Sequence, residues 1–293
     1  MGGLGNQLFI YAAGLQLAID NDASLVIHTN WYETNRSRQF ELACFEHSGR
    51  TTSSIPFFDH QLGSRNLPAR ARLWLARMQG ISLLQETTHA YVPTPAITSS
   101  RVELRGYFQS WRYFDSVSEK LANQLNCLRD PSPRVRELLT WCHGFGEWAA
   151  LHVRCGDFLN PDLLGLHGKT SEDYYDRALA MLKNLRSDMP IVVFSDEPEC
   201  ARRLLGQLRP NLHFLDIDPS VRPMDWIYIL SRATSVITAN SSFSWWGAWL
   251  AEQRGAWPVI APRPWFAKKS IPEQDLLPLT WLTIGREYRS DSS

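Results

Sequence analysis

Nowhere in the sequence do the roughly 18 uncharged apolar residues that a membrane-crossing helix needs follow one another. No transmembrane segment is therefore expected, and peripheral association is the one membrane relation left open. The opening stretch MGGLGNQLFIYAAG has no positively charged start ahead of its apolar residues and does not read as a signal peptide. Blocks of like charge are missing as well: 30 Lys and Arg balance 30 Asp and Glu, which gives nucleic acid no footing as a partner. Cysteine is sparse. Cys44, Cys127, Cys142, Cys155 and Cys200 are scattered without a C-x-x-C pair, the pattern expected of reduced thiols in a cytoplasmic protein rather than of a disulfide framework or a zinc site. Internal repeats and low-complexity tracts are also absent.

What is present is enough apolar material, 44% of 293 residues, for two ordinary cores. From about residue 134 the pattern becomes regular: EWAALHVR, MPIVVFSD, NLHFLDI, TSVITAN and AWPVIAP read as five short buried strands. Helical segments lie between them. EDYYDRALAMLKNLR opens with Thr170 and Asp173 spaced as a capping box, EPECARRLLGQL has Pro198 in its first turn, and FSWWGAWLAEQRG stops at Gly255. Such alternation predicts a parallel sheet with helices on both faces, a Rossmann-like domain. The first half is less regular, with a helix at NQLFIYAAGLQLAID, strands at SLVIHT and VELRGYFQ, and a basic, poorly periodic stretch between Arg65 and Arg77. The turn-rich LRDPSP is taken as the linker. The expectation is an α/β protein of two lobes, 1–132 and 133–293, meeting at a cleft.

Three strand ends carry candidate chemistry. LHVRCGDF, residues 151–158, presents His152, Arg154, Gly156 and Asp157 where a strand stops. A guanidinium is always charged and grips two phosphate oxygens at once, so Arg154 is suited to a leaving diphosphate; Gly156 permits close approach, and Asp157 orients or accepts a proton. An exposed edge strand would explain the same residues. ITANSSFSWWGAW ends a strand at Asn240 and starts a helix at once, placing Ser241, Ser242, Phe243 and Ser244 at a helix N-terminus, a seat for phosphate or simply a serine cap on a Trp-rich core helix. VVFSDEP adds Ser195 and Asp196, a carboxylate able to pair with guanine or to cap the next helix. GGLGNQ fails the dinucleotide fingerprint because Leu8 stands where glycine is required. It remains a glycine turn feeding a helix, with Asn6 in the first turn and backbone open to a ligand. Asp216-Ile217-Asp218 has the D-x-D form of a metal-binding diphosphate site, but a chain with 30 acidic residues offers that pattern by chance, and no metal is assigned.

Together GGLGNQLF, VELRGYFQSWRYF, HVRCGDF, VFSDE and ANSSFSWWGAW resemble, in this order and over nearly the whole chain, the α-1,2-fucosyltransferases of glycosyltransferase family 11. The resemblance implies a GT-B fold, GDP-β-L-fucose as donor, no cofactor or metal, and inverting transfer to the 2-hydroxyl of a terminal β-galactoside. It implies Arg154 at the β-phosphate, His152 and Asp196 on the nucleotide, Ser241 to Phe243 in the diphosphate loop, and Asn6 facing the cleft from the first lobe. Two departures go with it. An apolar strand usual before GGLGNQ is not seen, and Cys155 stands where arginine is common. The general base is left among Asp157, Asp162 and His167, with Asp157 preferred. The competing readings are a GDP-sugar or glycan-binding protein without turnover and a fucosyltransferase of another linkage, α-1,6 or O-linked.

Overall fold

The computed structural model describes residues 2–35, 38–55, 69–156, 168, 170–206 and 211–286. The chain forms two compact units, Met1–Ala43 with His47–Leu121, and Cys44–Glu46 with Ala122–Ser293. LRDPSP lies inside the second unit. There Ser132 caps the Pro133–His143 helix by accepting from the Val135 N–H, and Pro133 occupies the first helical position, where its missing donor costs nothing.

In the first unit the Leu4–Asp20 helix has Gly3 as its N-cap and starts two residues ahead of the NQLFIYAAGLQLAID segment, with Asn6 in its first turn. Strand β1 (Val26–His28) pairs in parallel with β2 (Arg50–Thr52), and β3 (Ile81–Gln85) with β4 (Arg101–Arg105), as two separate sheets. Residues of β1 and β4 line a common cavity of about 970 Å³ along the Leu4–Asp20 helix. The basic stretch before β3 contains a helix, Ala69–Met78. Its periodicity is faint because Trp74 and Met78 point to solvent while Ala76 supplies the buried contact.

The second unit holds one six-stranded sheet in which every pairing is parallel: β5 (Ala149–Val153), β6 (Ile191–Ser195), β7 (Leu212–Phe214), β8 (Ser235–Ile237), β9 (Val259–Arg263) and β10 (Leu282–Gly285). Their order across the sheet is β10-β9-β8-β5-β6-β7. All five residues of β5 are buried, the unbroken apolar run of a strand covered on both faces, so it is central and not an edge. Leu151 and Val153 pack with Val193 and with Tyr174, Tyr175 and Leu179 of the Glu172–Leu185 helix. Each such aliphatic side chain contributes about 1.5–3 kcal/mol of burial. That helix is capped by Ser171, which accepts from the Tyr174 N–H, and not by Thr170. Thr170 instead donates to Asn240 Oδ1 at 2.8 Å. The Trp-rich Ser242–Glu252 helix packs as core, with Trp245 and Trp246 fully buried and Trp245 Nε1 donating to the Leu276 carbonyl at 2.9 Å.

Candidate functional site

The chain leaves β5 for β6 and β7 on one side, then returns to place β8, β9 and β10 on the other. Direction reverses between β5 and β8, and in an open parallel sheet the crevice outside the strand ends at such a reversal is where ligands sit. Two of the three predicted strand ends are these two. Arg154, Cys155 and Gly156 follow β5; Asn240, Ser241 and Ser242 follow β8. The third, Ser195 and Asp196, ends and follows β6, the other neighbour of β5.

Asp196 binds the exit of β5. Its two oxygens accept from Cys155 N at 2.9 Å and Gly156 N at 3.1 Å, and the second lies 3.8 Å from Arg154 Nε. A Cβ on Gly156 would stand 2.8 Å from the same carboxylate, so only glycine lets the turn close on it. The carboxylate thus shapes the turn that presents Arg154. It caps nothing: the next helix, Pro198–Leu205, has no side-chain cap, and Ser195 Oγ takes the Glu197 N–H at 3.0 Å. The Arg154 side chain remains about a quarter exposed, at 27%.

His152 is buried. Its ring lies 5.3 Å from that of Phe243, and Nδ1 has no hydrogen-bond partner among the described residues. Burial lowers its pKa to about 4 against the opposing pull of Asp196, with Arg154 adding to the lowering, so the imidazole is neutral at ordinary pH. After β8, Ser241 is the N-cap of the Ser242–Glu252 helix and accepts from Phe243 N at 3.3 Å. The first turn of a helix has N–H groups without intrahelical partners, and the positive end of the dipole lies there, the geometry that a phosphate seat would need. Asn240 is committed differently. Its amide Nδ2 donates to the carbonyls of Gly168 (3.4 Å) and Trp265 (3.3 Å) while Oδ1 accepts from Thr170, so it ties loops together beside the seat. Buried Arg286 joins it, donating to the carbonyls of Pro264 (2.7 Å), Trp265 (2.6 Å) and Gly168 (3.5 Å). No motif in the sequence marks Arg286.

Asp157, Asp162 and His167 lie outside the described residues. Asn6, in the first unit, accepts from Gln109 Nε2 at 2.7 Å. The D-x-D pair is taken up by cations: Asp216 meets Arg202 at 2.5 Å, and Asp218 meets Arg134 at 3.3 Å and accepts from both Ser220 N and Oγ. Among the described residues no group of three or more His, Cys, Asp or Glu is placed to hold a metal ion. No helix described is long and apolar enough to cross a membrane.

One expectation is corrected. Cys155 and Cys200 form a disulfide across 45 residues, with Cα atoms 6.4 Å apart. Spacing in sequence could not reveal it, because the two meet only when β5 and β6 lie side by side and the Pro198–Leu205 helix folds back over them. Peptide mapping without reductant is expected to recover this pair, and dithiothreitol to lower stability by about 2–4 kcal/mol. Five titratable thiols in the folded, unreduced protein would refute it.

The sequence model described as Glycosyl transferase family 11 matches residues 93–284. The chain belongs to this family. Among its relatives are the Alpha-1,2-colitosyltransferase of Escherichia coli, 27% identical with 97% of each chain covered, and the O-antigen biosynthesis glycosyltransferase WbnK of Escherichia coli, 27% identical over 91% of this chain and 93% of that one. In structure the family 11 chain is similar to the NodZ α-1,6-fucosyltransferase in a crystal soaked with GDP-fucose, with a TM-score of 0.51 at 15% identity, covering 85% of this chain and 89% of that one. The fold is accordingly GT-B.

Proposed function

We propose that this family 11 glycosyltransferase moves L-fucose from GDP-β-L-fucose to the 2-hydroxyl of a terminal β-galactoside, with inversion and without a metal. The observation that carries the reading is that Arg154 and the Ser242–Glu252 helix N-terminus follow the neighbouring strands β5 and β8, between which the sheet order reverses. A guanidinium and a helix N-terminus following adjacent strands are donors of the kind that stabilise the charge building on a departing diphosphate as a cation would. His152, neutral and buried, flanks the same seat and adds no competing charge. With the leaving group drawn to the second unit, the acceptor oxygen attacks the opposite face of the sugar and inverts it in one step. None of the described motif residues is an activated nucleophile suited to a covalent intermediate. The first unit, with Asn6 and the stretch Tyr107 to Gln109, is proposed to read the acceptor. Similarity to an α-1,2-colitosyltransferase supports the α-1,2 linkage and also favours a second donor: colitose is fucose without its 3-hydroxyl.

Release of GDP from GDP-fucose, in the presence of lactose and excess EDTA, tests donor and metal together; turnover at the rate seen without chelator is expected. Loss of activity in EDTA that manganese restores would overturn metal independence. GDP binding with no release on any β-galactoside would make the chain a binding protein. NMR of the product is expected to show an α-fucosyl unit on galactose O-2, and a β-fucoside or attachment elsewhere would refute the linkage. GDP-colitose run beside GDP-fucose decides the donor by the ratio of kcat/KM.

A further inference from the structure

The first unit holds two parallel sheets of two strands each, and a two-stranded sheet is marginal by itself in water. Both lie against one helix. Leu4–Asp20 is buried over most of its first three turns, and a Cβ at its Gly14 would stand 3.0 Å from Leu25 Cδ1, just ahead of β1, and 3.5 Å from Leu104 Cδ1 of β4. Strands β1 and β4 therefore reach the same turn of the helix without pairing with each other. The 970 Å³ cavity is shared by all three elements: Ile10 and Leu17 of the helix, Val26 and His28 of β1, and Val102 and Leu104 of β4 line it.

The backbones of both strands turn an open edge away from their partners. Successive residues of a strand direct their N–H and C=O groups to opposite edges. Leu25 and Thr29 bond towards β2, the Leu25 carbonyl accepting from Arg50 N at 3.0 Å and Thr29 N donating to the Thr52 carbonyl at 2.9 Å, so Val26 and His28, out of step with them, address the other edge. On β4, Arg101 N donates to the Gly80 carbonyl at 3.1 Å and the Arg105 carbonyl accepts from Glu86 N at 2.8 Å, both towards β3, which turns Val102 and Leu104 the other way. Among the described residues none pairs with the backbones of these four on that edge. Their side chains are left part-wet. Val26 is 36% exposed and Val102 and Leu104 are only half-buried, whereas every residue of the central strand β5 is buried, as parallel strands covered on both faces are. An unpaired edge lined with apolar side chains is a template for one more strand.

We infer that the cavity is the seat of a strand: it takes one extended, uncharged, β-branched segment that runs parallel to β1 and β4 and joins the chain at Gly2, uniting the two small sheets in the order β2-β1-added strand-β4-β3. Its main chain bonds Val26 and His28 on one side and Val102 and Leu104 on the other, which is how strand addition to an open sheet edge gains affinity. Strands β3 and β4, five residues each, set its length, and the apolar Ile10, Leu17, Val102 and Leu104 set its composition. The covalent link follows from direction. The helix passes into β1 through residues 21–25 and Gly14 faces Leu25, so the helix runs back against β1. A segment parallel to β1 consequently ends where the helix begins, and strand, helix and β1 form a βαβ unit. The turn this needs is present: Gly2 sits at φ +79°, and a Cβ there would stand 2.8 Å from Asn6 Nδ2, a bend that glycine makes without steric cost. With the strand seated, GGLGNQ lies at the carboxyl end of a parallel strand, the edge at which open α/β sheets hold ligands. The transferase reading plays no part in this inference.

The test compares the 293-residue chain with one carrying Lys-Val-Ile-Val-Ile-Val directly ahead of Gly2 and one carrying Gly-Ser-Gly-Ser-Gly-Ser there. The apolar extension is expected to raise the melting transition by at least about 6 °C over both other chains. It should also slow exchange of the Val26, His28, Val102 and Leu104 amides by about a hundredfold or more, while the Gly-Ser extension changes neither readout. Proline at the third position of the apolar extension removes a ladder donor and should cancel most of the gain. A gain that survives proline would reveal burial without pairing and overturn the strand. Equal melting of the apolar and Gly-Ser chains, with the four amides exchanging as before, would overturn it too. Protection of the same amides in a dimer of the unextended chain would hand the seat to a second copy and count equally against the covalent strand. Should the apolar extension prove insoluble, Thr-Val-Thr-Val-Thr in its place keeps the β-branching and decides by the same readouts.

Discussion

Arg154→Ala is expected to cut turnover by a hundredfold or more while the protein keeps its fold. The two halves of that expectation have separate grounds. Loss of one preorganised donor to a developing anion costs about 2.7–4 kcal/mol of transition-state stabilisation. For the fold, little is at stake: the Arg154–Asp196 approach is long, at 3.8 Å, both side chains are partly exposed, and such pairs are worth about 0–1 kcal/mol. The turn itself is held by backbone N–H groups of Cys155 and Gly156 on Asp196, and these survive the substitution. Arg154→Lys should rescue poorly, since an ammonium cannot offer the two parallel donors of the fork. GDP release at saturating donor, read beside the melting temperature, checks both. A folded alanine variant with near-normal turnover would remove Arg154 from the reaction.

The strand ends proposed to carry the donor chemistry were legible because the fold makes them conspicuous. A fully buried central strand must be apolar, so LHVRCGDF announces both the strand and its polar exit, and a serine cap before a helix is visible in ANSSFSWW. The sequence did not show what crosses the sheet. Asp196 reads locally as a cap or a base contact, yet its oxygens bind the neighbouring strand's exit, a partner 40 and 41 residues away in the chain. Asn240 reads as a site residue, while both atoms of its amide tie loops. Cys155 and Cys200 pair by the same side-by-side placement of β5 and β6. Strand β10, in which only Ile284 is buried, and the Pro223–Leu230 helix, apolar almost all round, lack the periodicity that marks the other elements.

Arg286→Met is expected to destabilise the second unit by about 3 kcal/mol and to weaken donor binding as a consequence. Arg286 is 4% exposed, at the end of β10, and its three nitrogens donate to the carbonyls of Pro264, Trp265 and Gly168. Charge-assisted hydrogen bonds are worth about 1.5–3 kcal/mol each, and a carbonyl left buried without a donor costs about 1–3 kcal/mol. Methionine fills most of the volume and removes the cost of burying a charge, so the net falls well below the sum of three bonds. The loss is not confined to β10. Asn240 donates to two of the same carbonyls and accepts from Thr170, so the loops that flank the Ser241 cap share one network. With Arg286 gone, the Gly168 and Trp265 carbonyls keep only the Asn240 amide among their described donors, and the loops beside the proposed phosphate seat lose rigidity. At roughly 2–4 °C per kcal/mol for a unit of this size, the melting transition should drop by about 6–12 °C, with the KM of GDP-fucose rising more than kcat falls. Arg286→Lys should recover part of the stability, one ammonium reaching fewer of the carbonyls than the guanidinium does. A methionine variant that melts within 2 °C or so of wild type with an unchanged donor KM would show that the Asn240 amide alone holds these loops.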